Sequence, residues 1–349
     1  MNKYNYFTLL VLFLFTYSCK QTKYEIKSES KFIQVKGIKT HYLDFGGDGL
    51  PIILVHSEGW DATTYKDFGP KLTNNNRVIA VTRPGYGESE ISSYKVENQG
   101  DHLIAFADVL GIDKAVFIAN SSASKELTYL AENYPNRLAG VVYLSGPVAP
   151  WGDVSLEDPY KAFEMYGRAS PVANSEKNDR ETITLARMEY RPKHYDSDSI
   201  QIDVPALVIA ANNGREGNEK GVAALVFVGS PLMDELRETF PPSSLKRHLD
   251  LIAKDSVYRI TELNKIQDSI ARNYFFKLAS DTSLQRKVLE FHLEKVYPVT
   301  LEAQDKLMKA YGQNLKLVRL DVPQIIGYEY RDTPELIILP IKSFLKDLN

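Results

Sequence analysis

The chain has 349 residues, of which 44% are hydrophobic and 25% charged, and its formal net charge is −3 at pH 7. These proportions are those of a globular protein and exclude disorder, collagen and a coiled coil as descriptions of the whole chain. The slightly acidic balance offers no cluster of positive charge, so we expect no nucleic-acid partner. A single cysteine excludes an internal disulfide and a cysteine-based zinc site.

The only long apolar run lies near the start of the chain and is followed by that single cysteine, Cys19. Residues 7–15 are too few for a membrane-spanning helix, which needs about 20, but they suit a signal peptide. The segment resembles a bacterial lipoprotein signal, in which 1–18 is removed and Cys19 becomes the lipid-bearing first residue. This resemblance implies a tether over 19–31 and a lipid-anchored protein of the bacterial cell envelope, facing the periplasm or the surface and not the cytoplasm. The alternative is an ordinary secretory signal that is cut nearby.

The remainder, 32–349, alternates short apolar runs with helical periodicity. In chain order, strands are predicted at Phe32–Val35, Ile38–Leu43, Ile52–Val55, Val78–Val81, Ala115–Ala119, Leu138–Leu144, Val204–Ala211 and Leu315–Leu320. Helices are predicted at His102–Leu110, Ser122–Tyr134 and Pro334–Leu348, and a helical region from Ser230 to Gly312 has a second helix cap at Thr300. This order predicts a doubly wound α/β fold with helices on both faces of a parallel sheet. We expect one domain in which 147–202 and 212–312 are helical excursions.

Four segments carry recognisable motifs. ILVHSEGWDATTY contains His56 and Tyr65 and follows the third predicted strand, and TRPGYGES follows the fourth. FIANSSASKELTYLAENYP spans a strand, a sharp turn and a helix, and TPELIILPIKSFL forms the last predicted helix. Together they resemble the α/β-hydrolase superfamily. The resemblance implies a mostly parallel twisted sheet, a helical cap, and a capped pocket for a small-molecule substrate or ligand.

The third motif resembles the nucleophile elbow of that family, G-x-S-x-G, which reads Ala119-Asn120-Ser121-Ser122-Ala123 here. Small residues two positions before and after the serine let the backbones approach closely. The resemblance implies that Ser121 is the nucleophile of an ester or acyl hydrolase. It also implies an oxyanion hole formed by the N–H of Ser122 with that of Ser57 or Glu58. The alternative is that Ser121 and Ser122 only cap the helix.

The resemblance places the base and the acid of the triad at positions that carry neither a histidine nor a carboxylate. The family's histidine would fall at Gly327 or, with a one-residue gap, at Tyr328. The family's acid would fall at Asn213 or Gly214, or at Ser145 as in one subgroup. Since a serine needs a base to take its proton, the triad is predicted to be degenerate.

Other residues are candidates to replace the missing base and acid. The histidines are His41, His56, His102, His194, His248 and His292. We expect His41, in an edge hairpin, and His102, on a surface helix, to be structural, and His56 to support its own loop. The other three lie in the helical regions and stay open. Asp153 and Glu126 are the nearest acids, and Glu126 is expected to make a structural bond instead.

Three functions therefore stay open. The first is hydrolysis of an ester or acyl substrate through Ser121 and an unconventional base. The second is a catalytically silent protein that binds a small molecule or a partner in the same pocket. The third is cofactor-independent lyase or isomerase chemistry. No metal-binding spacing such as H-E-x-x-H occurs and no G-x-G-x-x-G follows a strand, so we expect neither a metal nor a cofactor.

Overall fold

The computed structural model describes residues 28–57, 60–145, 165, 201–211, 251, 255–320 and 329–348. Eight strands form one sheet in the order β1-β2-β4-β3-β5-β6-β7-β8. Their bounds are β1 Glu29–Val35, β2 Ile38–Gly46, β3 Leu50–Val55, β4 Asn76–Val81, β5 Ala115–Asn120, β6 Leu138–Leu144, β7 Ala206–Ala211 and β8 Leu315–Leu320. All eight correspond to strands predicted from the apolar runs.

The sheet is antiparallel at one edge and parallel elsewhere. The β1–β2 and β2–β4 pairs are antiparallel, whereas every pair from β4 through β3, β5, β6 and β7 to β8 is parallel. β1 and β2 are joined by Lys36 and Gly37, both at positive φ, which confirms the predicted hairpin turn. β1 begins at Glu29, so the last residues of the predicted tether, 29–31, belong to the sheet and pair with β2.

Helices cover both faces of this sheet, as predicted. The helices of the described residues are α1 Val96–Val109, α2 Ser124–Asn133, α3 Ser256–Asn264, α4 Ser269–Ser280, α5 Thr282–Phe291, α6 Tyr297–Tyr311, α7 Glu329–Asp332 and α8 Pro334–Asp347. Buried side chains of α1, α2 and α6 pack on one face, and those of α8 and of two short 3-10 helices, Ala62–Tyr65 and Gly69–Leu72, pack on the other. Strands buried on both faces explain why their sequences are continuously apolar rather than alternating.

Two details of the helices differ from the prediction. α1 begins at Val96, six residues before the predicted start. Thr300 was predicted to cap a helix, but it lies inside α6, which follows directly on a π-helix, His292–Val296. The predicted end at Gly312 is confirmed, because α6 ends at Tyr311 and Gly312 has a φ of 52°.

The predicted helical excursions lie largely outside the described residues. This applies to the predicted cap at Ser230, whereas α3 to α6 confirm helices over 256–311. Across the part of the chain that the structure describes, no helix is both long enough and apolar enough to cross a bilayer.

Candidate functional site

Ser121 lies at a sharp turn between β5 and the helix that follows it. β5 ends at Asn120 in an extended conformation, and Ser121 opens a short 3-10 helix, Ser121–Ala123, that continues into α2. The φ of Ser121 is +50°, in the left-handed region, which costs a non-glycine residue about 1–2 kcal/mol. Ala119 and Ala123 are completely buried on either side, which accounts for the small residues in the motif. The turn therefore leaves Ser121 partly exposed at the carboxyl edge of the sheet.

Ser145 lies beside this turn, at the end of the neighbouring strand β6. Its φ is +69°, its backbone N–H donates to the carbonyl of Ile209 at 2.9 Å, and it is buried. The Nδ2 of Asn120 donates to the hydroxyl of Ser145 at 3.4 Å. One predicted acid position thus does lie next to the elbow, and a hydroxyl group stands there in place of a carboxylate.

The loop that follows β3 begins on the other side of the elbow, since Val55 of β3 pairs with Ala119 of β5. His56 is completely buried in this loop. Its Nε2 accepts a hydrogen bond of 2.9 Å from the backbone N–H of Arg83. Its Nδ1 must then carry the proton, and it donates to the carbonyl of Ser57 at 2.8 Å. The expectation that His56 supports its own loop agrees with these contacts.

Ser57 itself is buried, and Glu58 lies outside the described residues. The carbonyl of Ser57 also accepts a bond of 3.4 Å from the backbone N–H of Trp60. We name the segment from His56 to Trp60 the oxyanion loop, after the role that the resemblance implies for it.

A buried ion pair lies next to His56, at the start of the oxyanion loop. The Nη1 of Arg83, in the TRPGYGES turn, donates to the Oε1 of Glu126 at 2.6 Å, and both side chains are only 4% exposed. The guanidinium also lies 4.6 Å from the centre of the Tyr86 ring, whose edge-to-face partner is His56. This geometry agrees with the expectation that Glu126 makes a structural bond, because it faces a guanidinium.

His41 and His102 are both buried structural residues, but the prediction that His102 lies on a surface helix was wrong. His102 is 4% exposed, and its Nε2 lies 3.0 Å from the hydroxyl of Thr40. Burial lowers the pKa of His102 to about 4, with a smaller contribution from the positive charge of Lys36. His41 bonds through Nδ1 to Thr82 at 2.8 Å, and burial lowers its pKa as well. Neither imidazole is available as a base.

The chain after β8 returns to the oxyanion loop. Tyr330 of α7 is buried, its hydroxyl lies 2.9 Å from that of Thr64, and its ring centre lies 4.6 Å from that of Tyr65. The guanidinium of Arg331 lies 4.9 Å from the centre of the Trp60 ring. The segment that follows the implied base position is thus packed next to the oxyanion loop.

Several candidate residues fall outside the described ranges. They are Gly327, Tyr328, Asn213, Gly214, Asp153, His194, His248 and Cys19. His292 opens the π-helix between α5 and α6, a type of helix that is often found at functional sites. Among the residues described, no group of three histidine, cysteine, aspartate or glutamate side chains could hold a metal ion.

Two contacts were not predicted from the sequence, the pairing of Arg83 with Glu126 and that of Trp60 with Arg331. Arg83 lies inside the motif TRPGYGES, and Arg331 lies two residues before the motif TPELIILPIKSFL. Glu126, a charged residue in the first turn of a buried elbow helix, was the one visible signal, because a buried charge needs a partner.

Comparison with known proteins defines the class. The model of the alpha/beta hydrolase family matches residues 52–269, more than half of the chain, and the chain therefore belongs to that family. It is 34% identical over 159 residues to bifunctional epoxide hydrolase 2 of Mus musculus, which covers 42% of this chain and 28% of the relative. It is 31% identical over 167 residues to 2-hydroxy-6-oxo-6-phenylhexa-2,4-dienoate hydrolase of Burkholderia cepacia, which covers 43% and 57%.

The chain spans less than two thirds of the length of both curated relatives. Among solved structures, an enol-lactonase from Burkholderia xenovorans LB400 has a TM-score of 0.52 at 15% identity, over 90% of this chain and 100% of the lactonase. At that identity, the likeness concerns the fold alone.

Proposed function

We propose that this protein hydrolyses a small ester, lactone or related acyl compound, with Ser121 as the nucleophile. The observation that carries the proposal is the positive φ of Ser121 at the end of β5. A left-handed serine costs stability and persists where the surrounding structure enforces it, and such strain concentrates at active sites. A helix cap alone does not need this conformation, since capping residues have ordinary extended backbones.

The groups around Ser121 are suited to stabilise a negatively charged oxygen. The N–H of Ser122 lies at the start of the helical turn, where backbone N–H groups and the helix dipole favour an anion. A second donor would come from the oxyanion loop, at Ser57 or Glu58. Two such donors stabilise the oxyanion of a tetrahedral intermediate, and removing one typically lowers kcat by 10²–10³-fold.

The reaction has two balanced steps. The Oγ of Ser121 forms a bond to the acyl carbon as its proton passes to a base, and the carbonyl electron pair moves to oxygen. When this intermediate collapses, the bond to the leaving oxygen breaks and that oxygen takes the proton. In the second step, water attacks the acyl carbon as the base takes its proton. The bond to the Oγ of Ser121 then breaks, the Oγ takes the proton, and the acid is released.

We further propose that the base comes from His194, His248 or His292. The resemblance offers no histidine at Gly327 or Tyr328, and His41, His56 and His102 are buried and hydrogen-bonded within the fold. His292 has additional support from the π-helix that it opens. An acid would come from Asp153 or another carboxylate, since Ser145, Asn213 and Gly214 carry none.

A second candidate function is a silent binding protein, or a lyase or isomerase that uses the pocket without a complete triad. The observation that favours it is the hydroxyl of Ser145 at one acid position, where it bonds to Asn120 and cannot stabilise an imidazolium as a carboxylate would. The names of two relatives, an epoxide hydrolase and a 2-hydroxy-6-oxo-6-phenylhexa-2,4-dienoate hydrolase, support variety of substrates in this family.

Turnover of p-nitrophenyl butyrate by the mature chain, its Ser121→Ala variant and a Ser92→Ala control separates the functions. Hydrolysis that is lost at least 10²-fold in Ser121→Ala and kept in Ser92→Ala supports the serine hydrolase. Equal turnover by wild type and Ser121→Ala overturns it. No turnover, combined with a small molecule that raises the Tm of the wild type, favours the silent binding protein.

We also propose that Cys19 carries the lipid that anchors this protein in the envelope membrane. Support comes from the apolar run of signal-peptide length and from the position of the single cysteine after it. Cys19→Ser should move the protein from the membrane fraction to the soluble fraction, whereas Ser28→Ala should not. Unchanged partitioning of Cys19→Ser would refute the anchor.

A further inference from the structure

The buried ion pair of Arg83 and Glu126 joins two parts of the candidate site that are far apart in sequence. Glu126 lies in the first turn of α2, five residues after Ser121, and Arg83 lies just after β4. Between β4 and β5 in the sheet stands β3, which ends at the oxyanion loop. Arg83 therefore reaches across the start of that loop to the elbow helix.

Arg83 contacts both sides of this junction with different groups. Its guanidinium binds Glu126 at 2.6 Å, whereas its backbone N–H binds the Nε2 of His56 at 2.9 Å. The Nδ1 of His56 in turn donates to the carbonyl of Ser57 at 2.8 Å. These three hydrogen bonds, joined covalently through Arg83 and through the ring of His56, thus connect the elbow helix to the carbonyl of Ser57.

We propose that Arg83 and Glu126 are positioning residues, which fix His56 and Ser57, at the start of the oxyanion loop, relative to the elbow helix that follows Ser121. This inference rests on the proposed function of Ser121 as the nucleophile. The ring of Tyr86 packs against both His56 and the guanidinium of Arg83, and the ring of Tyr94 packs on Tyr86. These aromatic contacts leave the guanidinium little freedom to move.

The energetics of buried ion pairs favour a role in geometry over one in stability. Well-packed apolar residues of similar volume are often as stable as a buried ion pair or more so, because both charges lose their hydration. The pair instead restrains the relative position of its two residues, since each hydrogen bond has a preferred length and angle. An oxyanion donor depends on such geometry, and a misplacement of about 1 Å can lower a rate by about 10²-fold.

The matched replacement Arg83→Met/Glu126→Leu removes both charges together and so avoids leaving one buried charge alone. The control is Arg137→Met/Asp108→Leu, which removes a more exposed ion pair near the C-terminal end of α1. Two readouts apply. One is the second-order rate of labelling by a fluorophosphonate, and the other is acrylamide quenching of Trp60 in a Trp151→Phe background, which leaves one tryptophan.

We expect the double variant to fold, to be labelled 10- to 100-fold more slowly than wild type, and to show at least twofold stronger quenching of Trp60. The control should match wild type in both readouts. A folded double variant with the labelling rate and the quenching of wild type would overturn the proposal. If the double variant does not fold, the same two readouts are applied to Glu126→Asp. This variant keeps the negative charge and shortens the side chain by one methylene.

Failure of the proposed function gives a different pattern. A wild type that the fluorophosphonate does not label refutes the nucleophile, and the quenching of Trp60 alone then decides whether the pair positions the loop. Labelling of wild type but not of Ser121→Ala, with no change in Trp60 quenching or rate in the double variant, keeps the nucleophile and refutes the positioning role.

Discussion

The backbone N–H of Arg83 donates to the Nε2 of His56 at 2.9 Å, and this bond fixes the tautomer of the imidazole. A backbone N–H is only a donor, so Nε2 is unprotonated and Nδ1 carries the hydrogen that binds the carbonyl of Ser57. A second proton on His56 would have to bind Nε2, and the resulting N–H would point at the backbone N–H of Arg83. His56 therefore cannot accept the proton of Ser121, although it is close to the elbow in the sheet.

The base should consequently be found among the three remaining histidines. We expect different results when asparagine replaces, one at a time, His194, His248 and His292. Two variants should be labelled by the fluorophosphonate at nearly the rate of wild type, and the third should be labelled 10²-fold or more slowly. The same variant should lose the rise of labelling with pH that a titrating imidazole gives. Near-wild-type rates and pH profiles in all three variants would exclude a histidine base.

The strain at Ser121 should be measurable as stability. Ser121→Gly relieves the left-handed conformation, whereas Ser121→Ala keeps it, so the glycine variant should be about 0.5–1 kcal/mol more stable than the alanine variant. Urea denaturation of the two variants tests this, and both should lack activity. Greater stability of the alanine variant would contradict the strain at this position.

His102 should make the fold sensitive to acid. Burial lowers its pKa in the folded state to about 4, so protons bind the unfolded chain first as the pH falls below about 6.5. The stability that depends on neutral His102 is present above pH 6.5 and is lost toward pH 4, by at most about 3 kcal/mol.

His102→Gln removes this titration. The difference in unfolding free energy between wild type and His102→Gln, measured by urea denaturation, should shrink steadily from pH 7.5 to pH 4.5. A difference that stays constant over this range would show that His102 keeps an ordinary pKa in the folded protein.

Glu132, on α2, should have the opposite pH dependence. Burial raises the pKa of its carboxyl to about 7, so the unfolded chain ionises first, and stability that is present below pH 4.5 is lost as the pH rises through 7. Glu132→Gln should therefore stabilise the protein by roughly 1–3 kcal/mol at pH 8 and by little at pH 4.5. Equal effects at both pH values in thermal or urea unfolding would contradict this.

The sheet could be predicted from the sequence because its strands are short apolar runs between turn residues. Leu138–Leu144 and Leu315–Leu320 have the predicted bounds. The start of α1 could not be predicted, because its first turns, VENQGD, are polar and contain Gly100. That glycine lies against the ring of Tyr129 on α2, a close helix crossing that periodicity does not reveal.

The candidate site was predictable only in part. The small residues around Ser121 indicated the elbow, because the spacing of that motif is local. His102 was wrongly placed on the surface because its partner, Thr40, lies 62 residues earlier in the chain. The bond between Arg83 and Glu126 spans 43 residues and depends on the order of the strands, so no local pattern could specify it.

The nucleophile is tested most directly by treating the mature protein with a fluorophosphonate and locating the adduct by mass spectrometry of its peptides. We predict one phosphonyl group per chain, on the peptide that contains Ser121, and no adduct in Ser121→Ala. An unlabelled wild type, or an adduct that persists in Ser121→Ala, would contradict it.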